Sequence, residues 1–175
     1  MKVHMRSIKI LILVSLLVWP FGCGYHFIGQ GKGVLGNIKS IAIPYFANKT
    51  YEPGIDRVFT EAMVNEFVES REYSLTTVDK ADVVMRGTLK SFQERTISYD
   101  RNDRALEYRI TVVLDFSVED KATGRVIWSS KDITHNEEYR VNPDISNTEF
   151  QKDEAIQRLA AELAERIHDN LIEGF

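Results

Sequence analysis

Cys23 carries the only thiol in the 175-residue chain, so any sulfur nucleophile, acylated thioether or thiolate ligand must be built there. One cysteine can neither close an internal disulfide nor form a Cys-rich zinc site. The histidines offer no better metal chemistry: His4, His26, His135 and His168 are far apart and show neither HExxH nor H-x-H spacing. No metal and no diffusible cofactor are expected. Neither a GxSxG elbow nor a P-loop occurs, which removes two standard routes to hydrolysis and nucleotide binding. Gly31-Lys-Gly33-Val-Leu-Gly36 fits GxGxxG, but a dinucleotide site needs a strand before the glycines and a helix opening within them. Here the glycines precede a strand. The carboxylates Asp79, Asp82, Glu137 and Glu138 read as turn and surface residues rather than a catalytic pair, so the chain is not expected to be an enzyme.

What remains is cationic binding chemistry. Arg86, Lys90, Arg95, Arg101, Arg104 and Arg109 fall within 24 residues whose only acids are Glu94, Asp100, Asp103 and Glu107, a local charge of +2. Guanidinium forks chelate phosphate oxygens in pairs, so Arg95, Arg101, Arg104 and Arg109 are the candidate contacts for a phosphorylated ligand. The plainer alternative is a sheet edge kept soluble by charge. The chain as a whole carries -4, with 22 Lys and Arg against 26 Asp and Glu. Without residues 1–22, which hold Lys2, Arg6 and Lys9 and no acid, the balance is 19 against 26, or -7. So acidic a domain is not drawn to nucleic acid as a body.

The setting of Cys23 explains its chemistry. Ile10 to Trp19 is an unbroken run dominated by apolar residues behind a basic start, too short for the roughly 20 residues a spanning helix needs and the right length for a signal-peptide core. Gly22-Cys23-Gly24 follows and resembles a bacterial lipobox. That resemblance implies cleavage before Cys23, a diacylglycerol on its thiol and an acyl group on its new amino terminus, enough chains for stable anchoring. The absence of Asp at position 24 resembles outer-membrane sorting. Residues 1–22 are therefore expected to be a lipoprotein signal peptide, 23–37 a glycine-bearing lipidated tether, and 38–175 a single domain.

Within that domain the hydropathy pattern predicts an order of elements. Ile38 to Phe46 alternates as a strand, expected to pair parallel with a neighbour, and Pro53 opens a helix whose face is Ile55, Phe59, Ala62, Met63 and Phe67, widened by Val58, Val64 and Val68. A short strand is expected over Ser74 to Val78. The next two strands meet at a turn over Asp100 to Asp103, and pairing Tyr99 with Arg104 places Ile97 opposite Leu106, Glu94 opposite Arg109, Leu89 opposite Leu114 and Met85 opposite Val118. The strand after Gly124 has no fixed register because Val126, Ile127 and Trp128 are consecutive. Thr148 and Gln151 fit a capping box for a last helix faced by Ile156, Leu159, Ala160, Leu163, Ile167 and Leu171. The expected fold is α+β, a mixed, mostly antiparallel sheet of about four strands with two helices packed on one face. The composition, 43% hydrophobic and 27% charged, suits such a folded domain.

From Cys23-Gly-Tyr-His-Phe27 through the strand and turn IKSIAIPYFANKTYEPG to the terminal amphipathic helix, the mature chain resembles the LptE family of lipopolysaccharide-assembly lipoproteins. The resemblance implies a non-enzymatic protein anchored by Cys23 to the periplasmic side of the cell outer membrane, sitting as a plug in an LptD-type β-barrel. It also implies lipopolysaccharide binding. An adaptor for another envelope-assembly machine is the alternative.

Overall fold

The computed structural model describes residues 34–36 and 38–173, which lie in one unit spanning Lys32–Phe175. The expected signal peptide, Cys23 and most of the tether lie outside the described residues. The elements are β1 (Ser40–Ala42), β2 (Ala47–Asn48), α1 (Ile55–Ser70), β3 (Ser74–Leu75), β4 (Val83–Tyr99), β5 (Ala105–Asp120), β6 (Val126–Arg140) and α2 (Ile145–Glu173). One sheet holds all six strands in the order β3-β1-β4-β5-β6, with β2 also on β4. The fold is α+β, mixed and mostly antiparallel, with six strands rather than about four.

The short strand expected after α1 forms over Ser74–Leu75, and one further strand comes from local chemistry. The expected strand over 38–46 breaks at Pro44, which has no N–H for a ladder, and resumes one step along β4, where Ala47 pairs with Thr88. β1 runs parallel to both β3 and β4. Asp82 fastens its start, because the carboxylate accepts the backbone N–H groups of Lys39 and Ser40 at 3.0 and 2.9 Å. Those bonds hold the Asp82 carboxyl below the usual carboxylate range.

Helix α1 begins after Gly54, which takes a left-handed conformation (φ 78) open to glycine without a Cβ penalty. Ile55, Phe59, Met63 and Phe67 are buried as the spacing predicts, but Val68 is exposed, so the helix buries one face rather than a widened stripe. Helix α2 starts three residues before the expected capping box. Asp144 Oδ1 accepts the Ser146 N–H, while the Thr148 hydroxyl turns back to the Asn142 carbonyl at 3.0 Å. The six apolar residues expected on its face, Ile156 to Leu171, are all buried. The chain just before β1 joins this core: Leu35 is buried, and the Val34 N–H donates to the Leu171 carbonyl at 3.0 Å.

The long hairpin keeps the predicted register only in its lower half. Met85 faces Val118 and Leu89 faces Leu114, but Lys90 is an extra residue, and beyond it Glu94 faces Ile110 while Arg95 faces Arg109. The expected Glu94–Arg109 pair does not form. The slip turns the strand over, so Phe92, Glu94 and Thr96 come to the helix side, and Ile97 and Tyr99, expected to be inward, are exposed. A second irregularity lies beside it in β6, where Asp132 has φ 54 between Ser130 and Ile133. Lys90 Nζ pairs with Asp132 and with Asp115 (3.5 Å), and Asp115 Oδ1 accepts the Asp132 N–H at 2.8 Å. The three residues form a seam across the sheet at one level. Asp115 is held below the usual carboxylate range, first by that backbone N–H and then by Lys90.

Candidate functional site

Beyond the seam the face of the sheet away from the helices presents the charged residues singled out above. Cross-strand partners share a face, so Arg95, Arg109 and Glu138 form one row across β4, β5 and β6, with Glu107 and Arg140 in the row above. Arg109 donates Nε and Nη2 to the same Glu138 oxygen at 2.9 and 2.6 Å. Arg95 lies directly opposite Arg109 and donates to Gln93 Oε1 at 2.9 Å. Glu107 is 3.4 Å from Arg140.

At the tip, the turn is organised by Asp100. Its Oδ1 accepts the backbone N–H groups of Asn102 and Arg104 at 2.7 and 3.0 Å, and Asp103 takes a left-handed conformation at φ 59. Arg104 folds back so that Nε and Nη2 reach Asp100 Oδ2 at 2.9 and 2.8 Å. The backbone donors, then the guanidinium, keep the Asp100 carboxyl below its usual range. Arg101 is exposed at the turn, and among the described residues neither it nor Arg95 takes part in an ion pair.

The four proposed arginines thus separate into two pairs. Arg95 and Arg109 stand side by side on the open face, and Arg101 and Arg104 lie at the tip. Lower on the same face, Arg86 is matched by Glu119 and Lys90 by Asp115 and Asp132, so the surplus positive charge lies at the tip end. Arg140 was missed, because its place beside Glu107 depends on a β6 register that the pattern of Val126, Ile127 and Trp128 leaves open. Exposed apolar side chains occur at the same end of the hairpin, Ile97, Tyr99 and Leu106, and the Val141 N–H donates to the Leu106 carbonyl at 2.9 Å. Guanidinium groups beside exposed aromatic and aliphatic side chains suit a ligand that is anionic at one part and apolar at another.

No group of three or more His, Cys, Asp or Glu among the described residues is placed to hold a metal. No described helix is long and apolar enough to cross a membrane.

A family profile described as LptE, lipopolysaccharide-assembly, matches residues 38–171, which include every described strand and nearly all of both helices. The chain belongs to the LptE family. Solved structures with the same fold include rare lipoprotein B from Shewanella oneidensis, 16% identical, with TM-score 0.53 over 75% of this chain and 92% of that one. A Caulobacter crescentus protein gives 14% identity and TM-score 0.54, covering 73% and 88%. A Xanthomonas campestris protein gives 12% and 0.54, covering 78% and 85%. At these identities the likeness concerns the fold. No protein of the curated set matches the chain. Membership in the LptE family supports an outer-membrane lipoprotein of the lipopolysaccharide-assembly type, in a family without enzymatic activity.

Proposed function

We propose that this LptE-family chain is made with a signal peptide over 1–22, carries a diacylglycerol and an N-acyl group on Cys23, and uses 23–37 as a tether for the domain over 38–175. In this reading it is held at the periplasmic side of the outer membrane, plugs an LptD-type β-barrel and assists lipopolysaccharide on its way to the outer leaflet. The family match across the whole α+β domain is the observation that carries the proposal. The structure supplies a compatible surface. Arg95, Arg101, Arg104 and Arg109 lie toward one end of a domain that is acidic overall, and contacts there are made within the roughly 8 Å over which physiological salt leaves charges effective. The exposed Tyr99 and Leu106 offer apolar surface beside them.

The experiment is a mild-detergent extraction of the full-length lipoprotein from its own host, followed by affinity capture and mass spectrometry. One large outer-membrane β-barrel in equal amount is the expected result. Periplasmic or peptidoglycan-linked proteins without a barrel would replace the plug by an adaptor for another envelope machine.

A further inference from the structure

The first three turns of α2 are helical with no residue in the apolar core. From Ile145 to Glu154 no side chain is buried, and the two large apolar residues there, Ile145 and Phe150, are 79% and 58% exposed; burial begins only at Ala155 and Ile156. These residues continue the packed part of α2, so their helical form propagates from it, but with no buried side chain of their own they gain little from the core. The contacts that hold them to the body of the domain are polar.

At the start of the segment the Thr148 hydroxyl donates to the Asn142 carbonyl at 3.0 Å, and further along a lysine bridges to the body. Lys152, with only 17% of its side chain exposed, places Nζ 3.1 Å from Glu52 in the loop before α1 and 3.1 Å from Glu94 in β4. The ammonium also lies 5.5 Å from the centre of the Phe92 ring. Glu94 in turn accepts the Tyr139 hydroxyl of β6 at 2.8 Å. Burial acts to lower the Lys152 pKa, but the bonds to Glu52 and Glu94 outweigh it and raise it above its ordinary value. A single ammonium thus joins three segments far apart in the chain. On either side of the helix a groove separates it from the body, one of about 190 Å³ bordered by Glu52, Asp153 and Gln157, the other of about 290 Å³ bordered by Tyr139, Gln151 and Arg158. Beneath lie Phe92 and the paired rings of Tyr108 and Tyr139, 5.5 Å apart.

We propose that residues 145–155 are a strap hinged where burial begins at Ala155, latched by Lys152 across Glu52 and Glu94. Release of the ammonium leaves two carboxylates facing each other and uncovers the Phe92, Tyr108 and Tyr139 surface. This device does not depend on the lipopolysaccharide reading. The strap belongs to the low-stability end of the molecule, whereas the rest of α2 shares the stability of the core.

Amide hydrogen exchange on the full-length lipoprotein in mild detergent tests it. In the wild type, amides 150–155 should exchange at least 100-fold faster than amides 159–171. Lys152→Met should accelerate amides 150–155 a further tenfold or more and change 159–171 less than threefold. Lys152→Arg should restore most of the wild-type protection. Equal exchange along the whole of α2 in the wild type would overturn the strap, and so would uniform acceleration of α2 in Lys152→Met, which would make the lysine part of the general fold.

Discussion

Below and above the Lys90–Asp115–Asp132 seam the same three strands solve different problems. Below it, the rows facing the helices read Met85–Val118–Trp128, Gly87–Phe116–Ser130 and Leu89–Leu114–Ile133, nearly all apolar. Above it they read Phe92–Val112–His135, Glu94–Ile110–Glu137 and Thr96–Tyr108–Tyr139. The helix follows the change. Below the seam α2 meets the sheet through aliphatic side chains such as Leu163 and Ile167, whereas above it Glu162 meets His135 at 2.7 Å, Arg158 meets Glu137 at 2.7 Å and Lys152 meets Glu94. Close packing dominates the lower half, while polar contacts join helix and sheet in the upper half.

The largest effect is therefore expected from the lower core. Phe116 is 1% exposed and packs against both Phe46 and Trp128, with ring centroids at 5.9 and 6.1 Å. Phe116→Ala should cost about 3–5 kcal/mol in denaturant unfolding. A loss comparable to that of Tyr99→Ala, an exposed change expected within about 0.5 kcal/mol, would erase the contrast between the halves.

A narrower test uses a close approach in the same core. Gly87 has an ordinary φ, so its need for glycine is spatial: an added Cβ would lie 2.4 Å from the ring of Phe46, which is 4% exposed. Gly87→Ala should cost about 1–3 kcal/mol by overpacking. Gly87→Ala together with Phe46→Leu, which shortens the opposing side chain, should cost less than the sum of the two single changes. Additive costs would show that the ring yields freely and that the lower half is less tightly packed than the distances indicate.

The same division marks what could be read from the amino-acid order. Period-two alternation in Leu106 to Val118 and the period of Ile156 to Leu171 are properties of single elements, and both identified buried faces, with Leu106 exposed and Tyr108 half-buried near the tip. The inserted Lys90 left no such trace. Ile97 and Tyr99 continue the apolar parity of Met85 and Leu89, so an unbroken ladder fitted the pattern as well as a bulged one. What decides between them is nonlocal: Glu94 turns inward to meet Lys152, 58 residues away, and Lys90 meets Asp132, 42 residues away. The arginine-rich hairpin was legible as composition, but the partners that neutralise Arg109 and Arg104 and the addition of Arg140 depended on registers and turns formed only in the fold.

The smallest effect on stability, and the sharpest on function, should come from Arg95 and Arg101, the two of the four candidate arginines that pair with no carboxylate among the described residues. Reversing Arg95 and Arg101 to Glu removes no ion pair and no buried contact, so the unfolding midpoint should stay within about 0.5 kcal/mol of wild type. Binding of purified lipopolysaccharide should weaken at least tenfold, because each reversed charge meets phosphate with repulsion where a guanidinium would have chelated it. Reversing Arg86 and Lys90 is the informative control. Those residues are already matched by Glu119, Asp115 and Asp132 below the seam, so their loss should disturb the sheet more and ligand binding less. Equal loss of binding in both double variants would mean that net charge alone attracts the ligand, and that the upper half has no privileged role.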